Sequence, residues 1–233
     1  MPINVYTGLM GSGKTYECVS SVIVPALSKG RRVVSNIENL QVDAIREFVS
    51  KNYKMDLEKV GELLCVTNDE VKTPNFYPDG TDKESVVSPG DIVCLDEAWN
   101  FYGTSAKLLE NSMNFFRMHR HYVDPETKVS CDIVLMVQSI SDLHRSLKIV
   151  VEFTFVFTKL KTLGLNSRYR VELWQGYKTA IKARVSWETK KYDKRFFRCT
   201  RVTQAGRAMS YRSIIEQTFS SRKSSGQLLS ECF

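Results

Sequence analysis

Apolar residues in this chain fall into short dense runs separated by stretches in which they recur every three or four positions. Ile3 to Tyr6 reads as a first strand, and Thr15 to Leu27, ended near Gly30, has the length and spacing of a helix. Arg32 to Ile37 returns to a β-rich run, Asp43 to Lys51 looks helical, and Leu63 to Thr67 is a further strand candidate. Thr73 to Gly90 holds three prolines and two glycines and reads as a long loop, of the kind that on a compact domain is functional or disordered. Asp91 to Leu95 and Asp132 to Gln138 are continuously apolar behind their first residues, the pattern of strands covered on both faces. Lys107 to Arg120 predicts a helix, Ile140 to Leu147 a short helix, and Val151 to Phe157 a strand.

Strand and helix thus alternate, which predicts an α/β fold: a mostly parallel sheet with helices on both faces and ligand chemistry at the carboxyl ends of its strands. After Lys161 the pattern changes. Arg170 to Trp174, Ala180 to Thr189 and Phe196 to Thr203 look like strands with polar interruptions. The expected organisation is a core over residues 1–160, a small β-rich basic C-terminal appendage extending it over 161–219, and a flexible tail over 220–233 rich in Ser, Lys, Arg and Gly.

Composition narrows the class without naming a function. The 233 residues are 42% hydrophobic and 25% charged, which excludes collagen-like, disulfide-scaffold and disordered chains. The net charge of +7 admits acidic partners such as nucleic acid or anionic lipid. Basic residues crowd between Lys159 and Arg222, an arrangement that equally suits a solvated face. The six cysteines show no C-x-x-C pair and no metal spacing with His119, His121 or His144, so reduced thiols are expected. The N-terminus lacks a secretion-signal pattern, and the most apolar stretches, Ile133 to Val137 and Ile149 to Phe157, are too short to span a bilayer. No transmembrane helix is expected.

The chemistry is concentrated at strand ends. Gly8-Leu9-Met10-Gly11-Ser12-Gly13-Lys14-Thr15 fits G-x-x-x-x-G-K-[ST] directly after a strand and at the start of a helix. Glycines let backbone N–H groups wrap phosphates, and the helix points its positive end at them. ATP with magnesium is therefore the expected ligand, contacted by Gly8, Met10, Gly11, Ser12, Gly13, Lys14, Thr15 and Tyr16. Lys14 would neutralise the β and γ phosphates, and the Thr15 hydroxyl would ligate Mg2+. Asp96 and Glu97 close the apolar run from Ile92; Asp96 would hold the metal through water and Glu97 would act as general base. Gln138 ends the next buried strand, where its amide would reach the γ-phosphate or the attacking water. Arg145 is the expected catalytic arginine, with Arg117 and Arg120 as alternatives. His119 and His121, two apart, do not share a helix face, which argues against a metal pair.

With the phosphate loop, Leu95-Asp96-Glu97-Ala98-Trp99, Met118-His119-Arg120-His121 and Asp132 to Gln138 in this order, the chain resembles the zonular occludens toxin (Zot) family over roughly Pro2 to Lys159. That family includes the inner-membrane assembly ATPases of filamentous phages. The resemblance implies a P-loop NTPase domain at the cytoplasmic face of the bacterial inner membrane, hydrolysing ATP to drive virion assembly and extrusion of phage single-stranded DNA. It further implies a homo-oligomeric ring, with coat protein and an outer-membrane channel as partners, and a membrane segment that this chain does not contain. Two other readings share the loop: a nucleotide-gated scaffold with little hydrolysis, and a small-molecule kinase, against which Asp96-Glu97 suits water activation better.

Overall fold

Each buried run becomes a strand. In the computed structural model, which describes residues 3–81, 84–160, 164–165 and 167–199, the strands are β1 Ile3–Thr7, β2 Val33–Ser35, β3 Leu63–Cys65 and β4 Ile92–Leu95. They continue as β5 Asp132–Val137, β6 Phe153–Lys159, β7 Arg168–Gln175 and β8 Arg184–Lys191. All eight share one sheet in the order β3-β2-β4-β5-β1-β6-β7-β8. From β3 to β6 every pairing is parallel, and β6, β7 and β8 continue antiparallel. Within the expected appendage over 161–219, β7 and β8 form a hairpin that continues the main sheet at β6, and residues 200–219 lie outside the described residues.

The unbroken apolar runs of β4 and of β5 behind Asp132, and the burial of β1 on both faces, have a direct cause. Neighbouring residues on a strand point to opposite faces, and Val5, Val93 and Leu135 enter one core cluster while Tyr6, Cys94 and Met136 enter the other. The second cluster is completed by the helix over residues 14–27 (α1) and by α2, Val42–Tyr53, through Ile23, Leu27, Ile45 and Val49. α1 is α-helical over Lys14–Cys18 and Val24–Leu27 with a π-helical turn, Val19–Ile23, between them. The first cluster is completed by α4, Trp99–Tyr102, and α5, Glu110–Met118, whose Tyr102, Phe115 and Phe116 are buried. Each fully buried side chain of this size contributes about 1.5–3 kcal/mol by leaving water.

Several elements depart from their predicted form. The loop expected after α3, Asn68–Val71, is anchored among its described residues by the buried Phe76, Tyr77 and Val87, with Tyr77 stacked on Phe115 and its hydroxyl 2.8 Å from that of Tyr102. The predicted helix over Ile140 to Leu147 is two pieces, the 3-10 turn Ile140–Asp142 and α6, Arg145–Lys148. Each piece has its own cap: Ser139 and Asp142 close a capping box on the first, and the His144 ring accepts the Ser146 N–H at the second. Leu143 between them is extended. The helix expected from Lys107 begins only at Glu110, and Trp99–Tyr102 was not anticipated as a helix. Phe196, expected to begin a strand running to Thr203, lies instead in the 3-10 turn Lys194–Arg198, capped by the Asp193 side chain. The predicted tail over 220–233 lies outside the described residues. Among the described residues no helix is long and apolar enough to cross a membrane.

Candidate functional site

β5 lies between β1 and β4, so the carboxyl ends of these three strands bring together Gly8, Gln138 and Asp96. The loop leaving β1 turns through positive φ at Gly8 (148°), Gly11 (70°) and Gly13 (108°). At two of these positions the space is also closed. A β-carbon on Gly8 would lie 2.5 Å from the Phe157 carbonyl oxygen, and one on Gly13 would lie 2.8 Å from the Tyr192 hydroxyl. The loop is thus moulded against the end of β6 and the residues following β8.

Lys14 is 7% exposed, and its Nζ donates to the carbonyl oxygens of Gly8 (2.6 Å) and Leu9 (3.5 Å). An ammonium has three donors, so one remains for a ligand. Burial lowers the Lys14 pKa, with Asp96 and Glu97 pulling it back up. The Thr15 hydroxyl donates to the Asp96 carboxylate at 3.3 Å. Burial raises the Asp96 pKa, partly offset by the Glu97 N–H that its carboxylate accepts at 2.9 Å.

Asp96 is held by a residue that pattern reading missed. Asn36, just past β2, accepts the Asp96 N–H at 2.6 Å and donates to the Asp96 carbonyl at 3.1 Å. It also donates to Asn68 at 2.8 Å. A polar residue ending a buried strand was the available signal, the same one that singled out Gln138.

Glu97 occupies the left-handed region at φ 46°, a conformation that costs a side-chain-bearing residue about 1–3 kcal/mol. Its carboxylate accepts the Trp99 indole N–H at 2.5 Å, and Trp99 is 45% exposed. The Gln138 carbonyl accepts the Gly8 N–H at 3.1 Å and the Thr7 hydroxyl at 3.0 Å, tying β5 to the loop. Its exposed side chain lines a cleft of about 510 Å³ with Trp99, Gly103, Thr104 and Asp142.

Tyr16, predicted to touch nucleotide, has its ring among Tyr169, Tyr192 and Phe196, and its hydroxyl accepts the Asp193 N–H at 2.7 Å. Its side chain is thereby engaged by the hairpin and the residues after it. The neighbouring Glu17, buried on α1, accepts from Tyr169, from Lys190 at 2.6 Å and from Ser21 at 2.8 Å. This grip on the first turns of α1 joins residues more than 150 apart, beyond the reach of sequence spacing. Lys159, at the end of β6, is also beside the loop: its Nζ would lie 3.6 Å from a β-carbon on Gly11.

The three candidate arginines are not equivalent. Arg145 is exposed at the start of α6. Arg120 pairs with Glu152, whose N–H donates to the Ile3 carbonyl at the amino end of β1, so it sits at the sheet edge opposite the loop. Arg117 is in the last turn of α5, which leads to Tyr122, and the Tyr122 carbonyl accepts the Gly90 N–H just ahead of β4 at that same edge.

A mixed-sheet α/β core with this loop after its first strand is a P-loop NTPase fold. The sequence profile of the family described as Zonular occludens toxin (Zot) matches residues 2–207, and the chain belongs to that family. It is similar to the Gene 1 protein of Xanthomonas phage phiLf, with 28% identity over 202 residues that cover 82% of this chain and 42% of that protein. The chain thus spans less than half the length of this curated relative. The crystal structure of the N-terminal domain of zonular occludens toxin from Neisseria meningitidis matches with a TM-score of 0.53 at 19% identity, covering 85% of this chain and 98% of that one. The genome packaging NTPase B204 from Sulfolobus turreted icosahedral virus 2, solved in complex with AMPPCP, matches with a TM-score of 0.47 at 10% identity over 82% and 98%.

Proposed function

We propose that the chain is an ATPase that couples ATP hydrolysis to assembly and export of filamentous phage. The observation that carries the nucleotide reading is the convergence of Lys14, the Thr15–Asp96 pair, Glu97 and Gln138 at three adjoining strand ends. A second observation supports it: the Ser12 hydroxyl is buried in the loop with no hydrogen-bond partner among the described residues, a polar group that a phosphate would satisfy. The phage reading draws on the family and on the phage Gene 1 protein.

In this mechanism the loop amides and Lys14 bind the β and γ phosphates. Thr15 and Asp96, one hydroxyl and one carboxylate, fit a magnesium ion that keeps several waters, and the ion would supply charge neutralisation on the phosphates. Water attacks the γ-phosphorus, the bond from it to the β-phosphate bridging oxygen breaks, and ADP and phosphate leave. Glu97 takes the water proton, Gln138 orients the water, and Arg145, from this subunit or a ring neighbour, stabilises the transition-state charge. The deciding experiment is steady-state ATP turnover of the full chain against protein concentration and added single-stranded DNA. Turnover rising with both supports the motor.

The Trp99 bond to Glu97 favours one alternative, a nucleotide-gated scaffold whose base is held away from water. Slow turnover that ignores DNA and protein concentration, with tight ATP binding, would select it.

A further inference from the structure

The hairpin has two unlike faces. One, through Tyr169 and Lys190, grips Glu17 on α1. Register assigns the other: Trp187 pairs with Glu172, and Arg184 pairs with Trp174 across a bulge between Leu173 and Trp174, so these four share a face with Arg170. There each indole meets a guanidinium. Arg170 Cζ is 5.3 Å from the Trp187 ring centroid, and Arg184 Cζ is 5.9 Å from that of Trp174. The β8 side of this face is open: Trp187 is 57% exposed and β8 is exposed at every position except Lys190, whereas on β7 Trp174 is buried and Arg170 and Glu172 are half-buried.

We propose that this face of the β7–β8 hairpin, on its exposed β8 side, binds single-stranded nucleic acid, with bases stacking on Trp187 and phosphates meeting Arg170, Arg184 and their neighbours. Alternation places Arg168 and Lys191, which pair with each other, on the same face, against the lone carboxylate of Glu172. A surface of four cations and one anion attracts a polyanion and repels its own copy. The chain's own segment beyond residue 199 is no better match, since Arg201, Arg207, Arg212, Arg222 and Lys223 outnumber Glu216 and Glu231. An indole standing out among guanidinium groups suits unpaired bases, whose ring faces are open, whereas a duplex hides them. The proposal deepens the reading above by naming the surface that meets the exported strand, and rests on that reading only for the strand's source.

The test is fluorescence anisotropy of a labelled oligothymidylate with the full chain and no nucleotide, with ATP affinity measured in parallel. Trp187→Ala should weaken oligothymidylate binding about tenfold, while Trp187→Phe keeps most of it because a ring remains. Arg184→Ala should flatten the dependence of log affinity on log salt by about one. ATP affinity should be unchanged in all three, so failure of nucleotide binding and failure of strand binding are separable. Four outcomes would overturn the proposal: wild-type strand binding by Trp187→Ala, equal affinity for a duplex of the same length, a change only in oligomeric state, or loss only of binding to anionic lipid vesicles.

Discussion

The two ends of the parallel sheet treat buried charge in opposite ways. At the amino end, Asp91 and Asp132 enter β4 and β5 and are met by arginines, Arg32 at 3.0 Å and Arg31 at 2.5 Å. Arg31 further donates to the carbonyls of Gly90 and Ser130, so it staples two strand entrances together. At the carboxyl end of the same β4, Asp96 has a hydroxyl and a backbone N–H but, among the described residues, no ion pair as near; burial pushes its pKa up, as it does that of Asp91, and here also pushes down that of the neighbouring Lys14. Glu97 adds backbone strain beside it. One end spends its charges on holding strands; the other keeps them apart at a cost that a bound, charged ligand would offset.

That contrast can be broken at several points. The largest effect is expected at the loop, where Lys14→Ala should abolish nucleotide binding; titration calorimetry showing undiminished ATP affinity would remove Lys14 from the site. At the opposite end, Asp132→Ala leaves Arg31 buried without its ion-pair partner and should cost about 3–5 kcal/mol in denaturant unfolding. A loss below ~1 kcal/mol would mean that the staple is not structural. Glu97→Gln should bind ATP yet hydrolyse it roughly a hundredfold more slowly, about 2.7 kcal/mol in barrier; wild-type turnover would move the base role to another group.

The smallest effect tests the sign of the argument. Asp96→Asn should unfold at a slightly higher temperature than the wild type at neutral pH without nucleotide, although it would weaken the proposed magnesium site. Burial raises the folded pKa of Asp96 above its unfolded value. The folded state therefore binds the proton more tightly, and the penalty of the buried charge is full above the folded pKa. It fades as pH falls through the folded pKa towards the unfolded one, so the advantage of the asparagine should shrink in that window. An advantage constant with pH would refute a charge origin.

Much of this is legible in the sequence, for particular reasons. β4 and β5 are apolar on consecutive residues behind Asp91 and Asp132, and only strands covered on both faces need that pattern. Gly8 to Thr15 declared its loop because positive φ and close backbone approach demand glycine at set positions. The segment Ile140 to Leu147 misled, since its spacing is helical while the caps at Ser139 and His144 divide it. Phe76 and Tyr77 were hidden in a proline-rich stretch whose burial depends on α5.

The sequence by itself determined that β4 and β5 are covered on both faces, where the glycine-rich loop falls and which carboxylates end a buried strand, because each is written in local spacing over a few residues. Only the tertiary structure decided that β5 separates β1 from β4, that Asn36 clamps Asp96, that Trp99 holds Glu97, and that the hairpin closes on Tyr16 and Glu17. Those are contacts between residues distant along the chain, set by strand order and packing, and no local pattern carries them.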